Sequence, residues 1–266
     1  MKYRYKVFAE QCIGNSNSTL CRLSFILELC ILLKTLKNHT FFRYNFFKVR
    51  EYIKIMLKWQ WFNKRLFSEH RWVLLLWVYF IMVSTASIVI TPYGHFNIWL
   101  SNHYHNSIGF FFKYYTHFGE EWILVPLGLL LVWFLKSITF TIRLTATFIF
   151  NTLITIFFKF LIFDYNRPKL VLEKFNLVFT EGVKVHEYNS FPSGHSSAAF
   201  AMALALAFWF NNKAVSIVVI LMAIGVGLSR IYLQQHFIED VIGGATIGLL
   251  AAGLAAGLTW IPKNKA

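Results

Sequence analysis

Residues 189–210 read NSFPSGHSSAAFAMALALAFWF. Pro192, Ser193, Gly194 and His195 stand directly before a run of small and apolar residues. The run has the composition of a membrane-crossing helix, which needs about 20 mostly apolar residues. Ionisable groups at membrane depth are costly and are usually functional. A turn-prone, ionisable cluster at the lip of such a helix is therefore the first place to look for chemistry.

The surrounding chain has a membrane composition. Of 266 residues, 57% are hydrophobic and 14% charged, against about 45–50% and about 25% in soluble domains. The pattern predicts an all-α integral membrane protein, a bundle of six spans near 72–91, 121–137, 142–163, 195–211, 214–232 and 239–261. The second and fourth are short. The net charge of +14 is uneven: residues 1–71 hold 14 Lys and Arg against 4 Asp and Glu. Because this charge flanks the spans, it reads as the positive-inside signal and not as a nucleic-acid surface. Cys12, Cys21 and Cys30 are odd in number and contain no Cys-x-x-Cys pair, so neither a disulfide framework nor a zinc site is expected.

Residues 1–55 are basic, aromatic and irregular. They read either as an arm lying on the membrane surface or as an extension ahead of a functional protein starting at Met56, with the membrane domain at 56–266. The stretch LSFILELCILL from Leu23 contains Glu28 and lacks a small-residue cleavage site, so it is not expected to be a signal peptide. Lys136, Arg143, Lys213, Lys263 and Lys265 mark the cytoplasmic side. The connections 92–120, 164–194 and 233–238 then face outward, to the periplasm if the membrane is a bacterial inner membrane.

Three polar clusters converge on that outer face. KFLIFDYNRP closes the third span, FPSGHSS opens the fourth, and SRIYLQQHFIED joins the last two. Lys159, Arg167 and Arg230 are cations suited to phosphate oxygens. Ser193 occupies a helix N-cap position and Gly194 leaves backbone N–H groups open to an anion. His236 and Asp240, four apart, share a helix face, so the carboxylate can hold one imidazole nitrogen and leave the other as a nucleophile. Taken singly, each has an ordinary structural reading: a snorkelling lysine, a helix-entry turn, a packed His–Asp pair, a helix stop at proline. Their coincidence on one face is the inventory for metal-free phosphoryl transfer through a phosphohistidine.

The sequence resembles the type 2 phosphatidic acid phosphatase family, the membrane branch of the acid phosphatase–vanadium haloperoxidase superfamily. The family signature is K-x6-RP, PSGH and SR-x5-H-x3-D. The second motif stands at Pro192–His195, and the third matches at Ser229, Arg230, His236 and Asp240. The first departs, with seven residues between Lys159 and Arg167. Either a one-residue bulge absorbs the excess or Lys159 is displaced. The resemblance covers about 72–261. It implies that His236 attacks phosphorus, that Asp240 orients it, and that His195 protonates the leaving oxygen and then activates water. Lys159, Arg167, Ser193, Gly194 and Arg230 would hold the phosphate, supported by Ser229. It implies no cofactor and no metal, and a lipid phosphate or pyrophosphate as substrate: undecaprenyl pyrophosphate, phosphatidylglycerol phosphate, phosphatidic acid or lipid A phosphate.

His103, His105, His117 and Glu120 lie in the aromatic outer connection 92–120, with Glu121 directly after it. They lack helical metal-ligand spacing and read as part of an interfacial roof. Gly244 and Gly248, then Gly253 and Gly257, have small-xxx-small spacing, which suits packing within the bundle or a homodimer seam. Competing readings are a lipid phosphotransferase using the same site, a transporter or structural membrane protein with a degenerate site, and, remotely, vanadium-dependent halide oxidation.

Overall fold

The computed structural model describes residues 70–259. The basic extension 1–55, Met56, the three cysteines, Lys263 and Lys265 lie outside the described residues. All regular structure within them is helical. In chain order α1 is Arg71–Ile90, α2 His95–Asn102, α3 Asn106–Tyr115, α4 Glu121–Leu135, α5 Ile138–Ile156, α6 Pro168–Val171, α7 Gly194–Phe210, α8 Lys213–Tyr232 and α9 Ile238–Leu258. A 3-10 turn, Thr116–Gly119, follows α3, and a π-helical turn, Phe157–Ile162, continues α5.

Helix α7 is the axis of the bundle and packs on α9, α8 and α5. It is apolar all round, as a helix enclosed by others must be, and Ala199, Phe200, Ala203, Leu204 and Ala207 are buried against Ile220, Ala223, Ala245 and Ala252. On its other side Ala198, Met202 and Ala205 meet Leu124, Phe140 and Leu144. Ser193 caps its start by accepting from the Ser196 N–H. Asn211, in the left-handed region with φ +47°, ends it. Asn212 then caps α8 through bonds from Ala214 N (2.9 Å) and Val215 N (3.1 Å).

The six apolar segments are present, but the count of six spans is not reached by length. Four helices are long and apolar enough to cross a membrane: α1, α5 with its π turn, α8 and α9. A fifth arises if α3 with its 3-10 turn and α4, bent by 53°, are one broken span. The bend falls at Glu120, whose backbone is extended. Helix α7 has only 17 residues, and its burial among other helices relaxes the demand for length. The third span starts earlier than its hydropathy suggests. Ser137 caps α5 by accepting from Phe140 N at 3.3 Å, which brings Arg143 inside the helix. There Arg143 donates to Thr259 Oγ1 at 2.8 Å and lies 5.3 Å from the Trp209 ring.

Gly244 and Gly248 fix how close α9 comes to α7. A Cβ at Gly244 would stand 2.6 Å from the Ser193 carbonyl oxygen; one at Gly248 would stand 2.7 Å from Ala201 N and 2.9 Å from the Ser197 carbonyl oxygen. Backbone atoms cannot move aside as a flexible side chain would. At Gly253 a Cβ would meet nothing within 4 Å. Gly248→Ala is therefore expected to lower stability by about 1–3 kcal/mol through overpacking, and Gly253→Ala to be neutral or slightly stabilising, since alanine favours helix over glycine. Thermal unfolding in detergent checks this, and equal midpoints for the two variants would refute the close-contact account.

Candidate active site

The turn from α8 into α9 places His236. The Arg230 carbonyl accepts from Gln235 N at 2.9 Å and His236 N at 3.3 Å, and Gln234 takes the left-handed φ of +55° that lets the chain double back. Asn97 of α2 locks the turn, donating to Gln234 Oε1 (3.0 Å) and the His236 carbonyl (3.2 Å). His236 and Asp240 then meet on the first turn of α9, with Nδ1 3.2 Å from Asp240 Oδ2. A carboxylate only accepts, so Nδ1 carries the proton and Nε2 keeps its lone pair. The same Oδ2 accepts from Ser190 Oγ at 2.5 Å and Phe237 N at 2.9 Å.

The start of α7 abuts this pair. Ser193 N donates to the Asp240 carbonyl at 3.0 Å, and Ser193 Oγ accepts from Ser196 Oγ at 2.9 Å. The Ser193 hydroxyl is thus part of the cap. Beside it, a Cβ on Gly194 would meet nothing within 4 Å, so open space adjoins the first N–H groups of α7, the place where an anion is favoured. His195 follows, its Nε2 donating to Glu120 Oε1 at 3.0 Å.

Arg230 is buried at the end of α8. It donates through one terminal nitrogen to Thr116 Oγ1 at 2.9 Å, while its Nε has no hydrogen-bond partner. A buried guanidinium with an unmatched N–H is an anion site in waiting. Ser229, one residue earlier, turns its hydroxyl onto the Val226 carbonyl at 2.6 Å. Arg167 caps α6 and holds the outer connection together: Nε donates to the Tyr188 carbonyl at 2.8 Å, and a terminal nitrogen reaches the Gln235 carbonyl and Oε1, each at 3.3 Å.

The extra residue of the first motif sits in the π turn Phe157–Ile162, which contains Lys159. A π turn is an α-helix that has absorbed one additional residue. Lys159 is half-buried and remains within electrostatic reach of His236 and His195. Burial, then Arg167, Arg230, Lys159 and His195, hold the His236 imidazole well below the usual histidine range. That favours the neutral imidazole at physiological pH, the form able to act as a nucleophile.

Glu120, Thr116, Ser190 and Gln235 belong to this cluster and have no motif to announce them. Only Glu120 gives a sequence signal, a carboxylate in an outer connection otherwise rich in aromatic residues. Among the described residues no three His, Cys, Asp or Glu side chains are grouped to hold a metal.

Arg167→Ala should lower the unfolding midpoint by the equivalent of about 2–3 kcal/mol, since buried acceptors lose a charged donor. Lys159→Ala should leave it near that of the unsubstituted chain. Thermal unfolding of the two variants measures the difference, and equal midpoints would mean that Arg167 does not hold the connection.

The family model described as the PAP2 superfamily matches residues 140–264. Phosphatidylglycerophosphatase B of Bacillus subtilis (strain 168) is 40% identical over 27% of this chain and 41% of its own length, so the match spans less than half of that relative. Aquifex aeolicus LpxE has a similar structure, with TM-score 0.50 and 25% identity over 61% of this chain and 93% of that one. A transmembrane PAP2 type phosphatidylglycerolphosphate phosphatase from Bacillus subtilis shares the fold, with TM-score 0.50 and 22% identity over 70% and 94%. All three motifs fall inside the matched range, whereas α1 to α4 precede it. The chain is a multi-pass membrane protein, and its residues 140–264 match the PAP2 superfamily model.

Proposed function

We propose that this protein is a membrane lipid phosphatase that hydrolyses a phosphate monoester or pyrophosphate through a phosphohistidine. The observation that carries the reading is a buried His236 with Nδ1 held by Asp240, within electrostatic reach of Arg230, whose buried Nε has no partner. His236 Nε2 attacks phosphorus as the bond to the leaving oxygen breaks. That oxygen takes a proton from His195. Water then gives a proton to His195 and attacks phosphorus, the P–N bond breaks, and phosphate leaves with His236 neutral again. Charge on the equatorial oxygens is met by Arg230, Lys159, Arg167 and the N–H groups at Gly194, a preorganised set of the kind that stabilises phosphoryl transfer.

The site lies among the span ends, where a headgroup phosphate sits while its chains stay in the bilayer. Trp99, Phe110, Phe111 and Tyr114 of the adjoining connection are exposed and suit the headgroup layer. An open apolar depression of about 520 Å3 on α5, lined by Leu153, Ile154, Ile156, Phe157, Phe158 and Leu161, adjoins Lys159 in the chain. Arg143 and Lys213 mark the opposite end of the bundle, which supports an inner-membrane protein with its site toward the periplasm.

His236→Ala should abolish phosphate release with the fold intact, vanadate should inhibit, and chelators should not. Activity above a few per cent in that variant would exclude the phosphohistidine route. Catalytic efficiency should be much higher on a lipid phosphate in mixed micelles than on a sugar phosphate or nitrophenyl phosphate in water. Equal efficiency would remove the lipid assignment and leave a membrane-anchored phosphatase.

A further inference from the structure

Glu120 stands outside the stretch that matches the family model, yet its carboxylate lies on His195. Three features hold it there. The chain breaks its helix at Glu120, between the 3-10 turn and α4. The preceding Gly119 permits the approach: a Cβ there would stand 2.7 Å from the His195 carbonyl oxygen and 2.7 Å from Val226 Cγ1. The second carboxylate oxygen is fixed from the other side. Trp122 Nε1 donates to Oε2, and His117 Nδ1 lies 3.1 Å from that oxygen.

We propose that Glu120 is a positioning residue for His195, so that the site holds two histidine–carboxylate pairs: His236–Asp240 for the nucleophile and His195–Glu120 for the proton carrier. The proposal rests on the phosphatase reading above. Because Glu120 can only accept, it fixes the proton on His195 Nε2 and turns Nδ1 toward the reacting oxygen. To protonate the leaving oxygen, His195 must carry a second proton. The charged side chains that act on it besides Glu120 are cations, Lys159 from the π turn and Arg230 from α8, while the neutral His236 stands on the α8–α9 turn and His117 lies behind Glu120. Glu120 is the anion that offsets these cations. At leaving-group departure the P–O bond breaks, the oxygen takes the Nδ1 proton, and the Nε2 proton stays on the ring against Glu120.

Two measurements on the full chain in detergent test this. The first compares kcat/KM, which reports steps through phosphoenzyme formation, on two esters carrying the same long alkyl chain: an alkyl phosphate and a nitrophenyl phosphate. A poor leaving group needs the proton and a good one does not. E120Q should lose about tenfold or more on the alkyl ester, a part of the roughly 10²–10⁴-fold that a general acid supplies, and much less on the aryl ester. E120D, which keeps the charge, should bring the ratio of the two esters back toward that of the unsubstituted protein. Equal losses on both esters would overturn the proposal. Poor folding of E120Q would not blur the result, since fewer folded molecules lower both rates alike and leave the ratio unchanged. The second measurement is the 15N spectrum of the His195 ring without substrate. A proton on Nε2 that is lost or mixed with Nδ1 in E120A supports the proposal, and an unchanged tautomer overturns it. An unsubstituted chain that hydrolyses neither ester would overturn the phosphatase reading instead, and the spectrum would still decide whether Glu120 sets the ring.

Discussion

The hydrogen bond from Ser193 N to the Asp240 carbonyl, 3.0 Å long, ties the start of α7 to the start of α9, and the candidate site is assembled around it. It forms only because α9 can reach the α7 backbone, and it can do so because Gly244 and Gly248 have no side chains. With that distance set, one helix start offers its open N–H groups and the other presents the His236–Asp240 pair. The same proximity brings Ser190 onto Asp240. The site therefore depends on backbone packing, which is less forgiving than packing between flexible side chains.

Around this contact the outer connections act as a clamp and not as a passive roof. Asn97 holds the His236 turn, Thr116 accepts from Arg230, and Arg167 gathers Gln235 and Tyr188. Each contact satisfies a buried polar group that would otherwise be left without a partner at large cost. The cations are thus held in place by the fold, as the proposed phosphoryl transfer requires, since fixed dipoles and charges need not reorganise.

Much of this was legible from sequence because it is local. A Ser-Gly pair at a helix start, a His and an Asp four apart, and apolar runs of span length state their geometry through spacing alone. The seven-residue gap between Lys159 and Arg167 left two outcomes open, and the structure places a π turn at that point. Thr116, Ser190 and Gln235 were not legible, and Glu120 was legible only as a carboxylate in the outer connection, because each meets its partner across a tertiary contact for which no periodicity exists. Hydropathy also set the third span from about 142, whereas the helix starts at Ile138 behind the Ser137 cap, and Thr259 and Trp209 give Arg143 partners inside it.

Helix α7 has a further consequence for the bilayer. Its 17 residues make a rod about 25 Å long, against a hydrocarbon core of about 30 Å. Its neighbour α9, with 21 residues, is about 31 Å long and matches that core. The Ser193–Asp240 bond sets the starts of α7 and α9 level, so the shortfall falls at the far end of α7, around Phe210, away from the candidate site. The depth of Gly194 and His195 in the membrane is therefore fixed by α9, whose length matches the hydrocarbon core, whatever the length of α7.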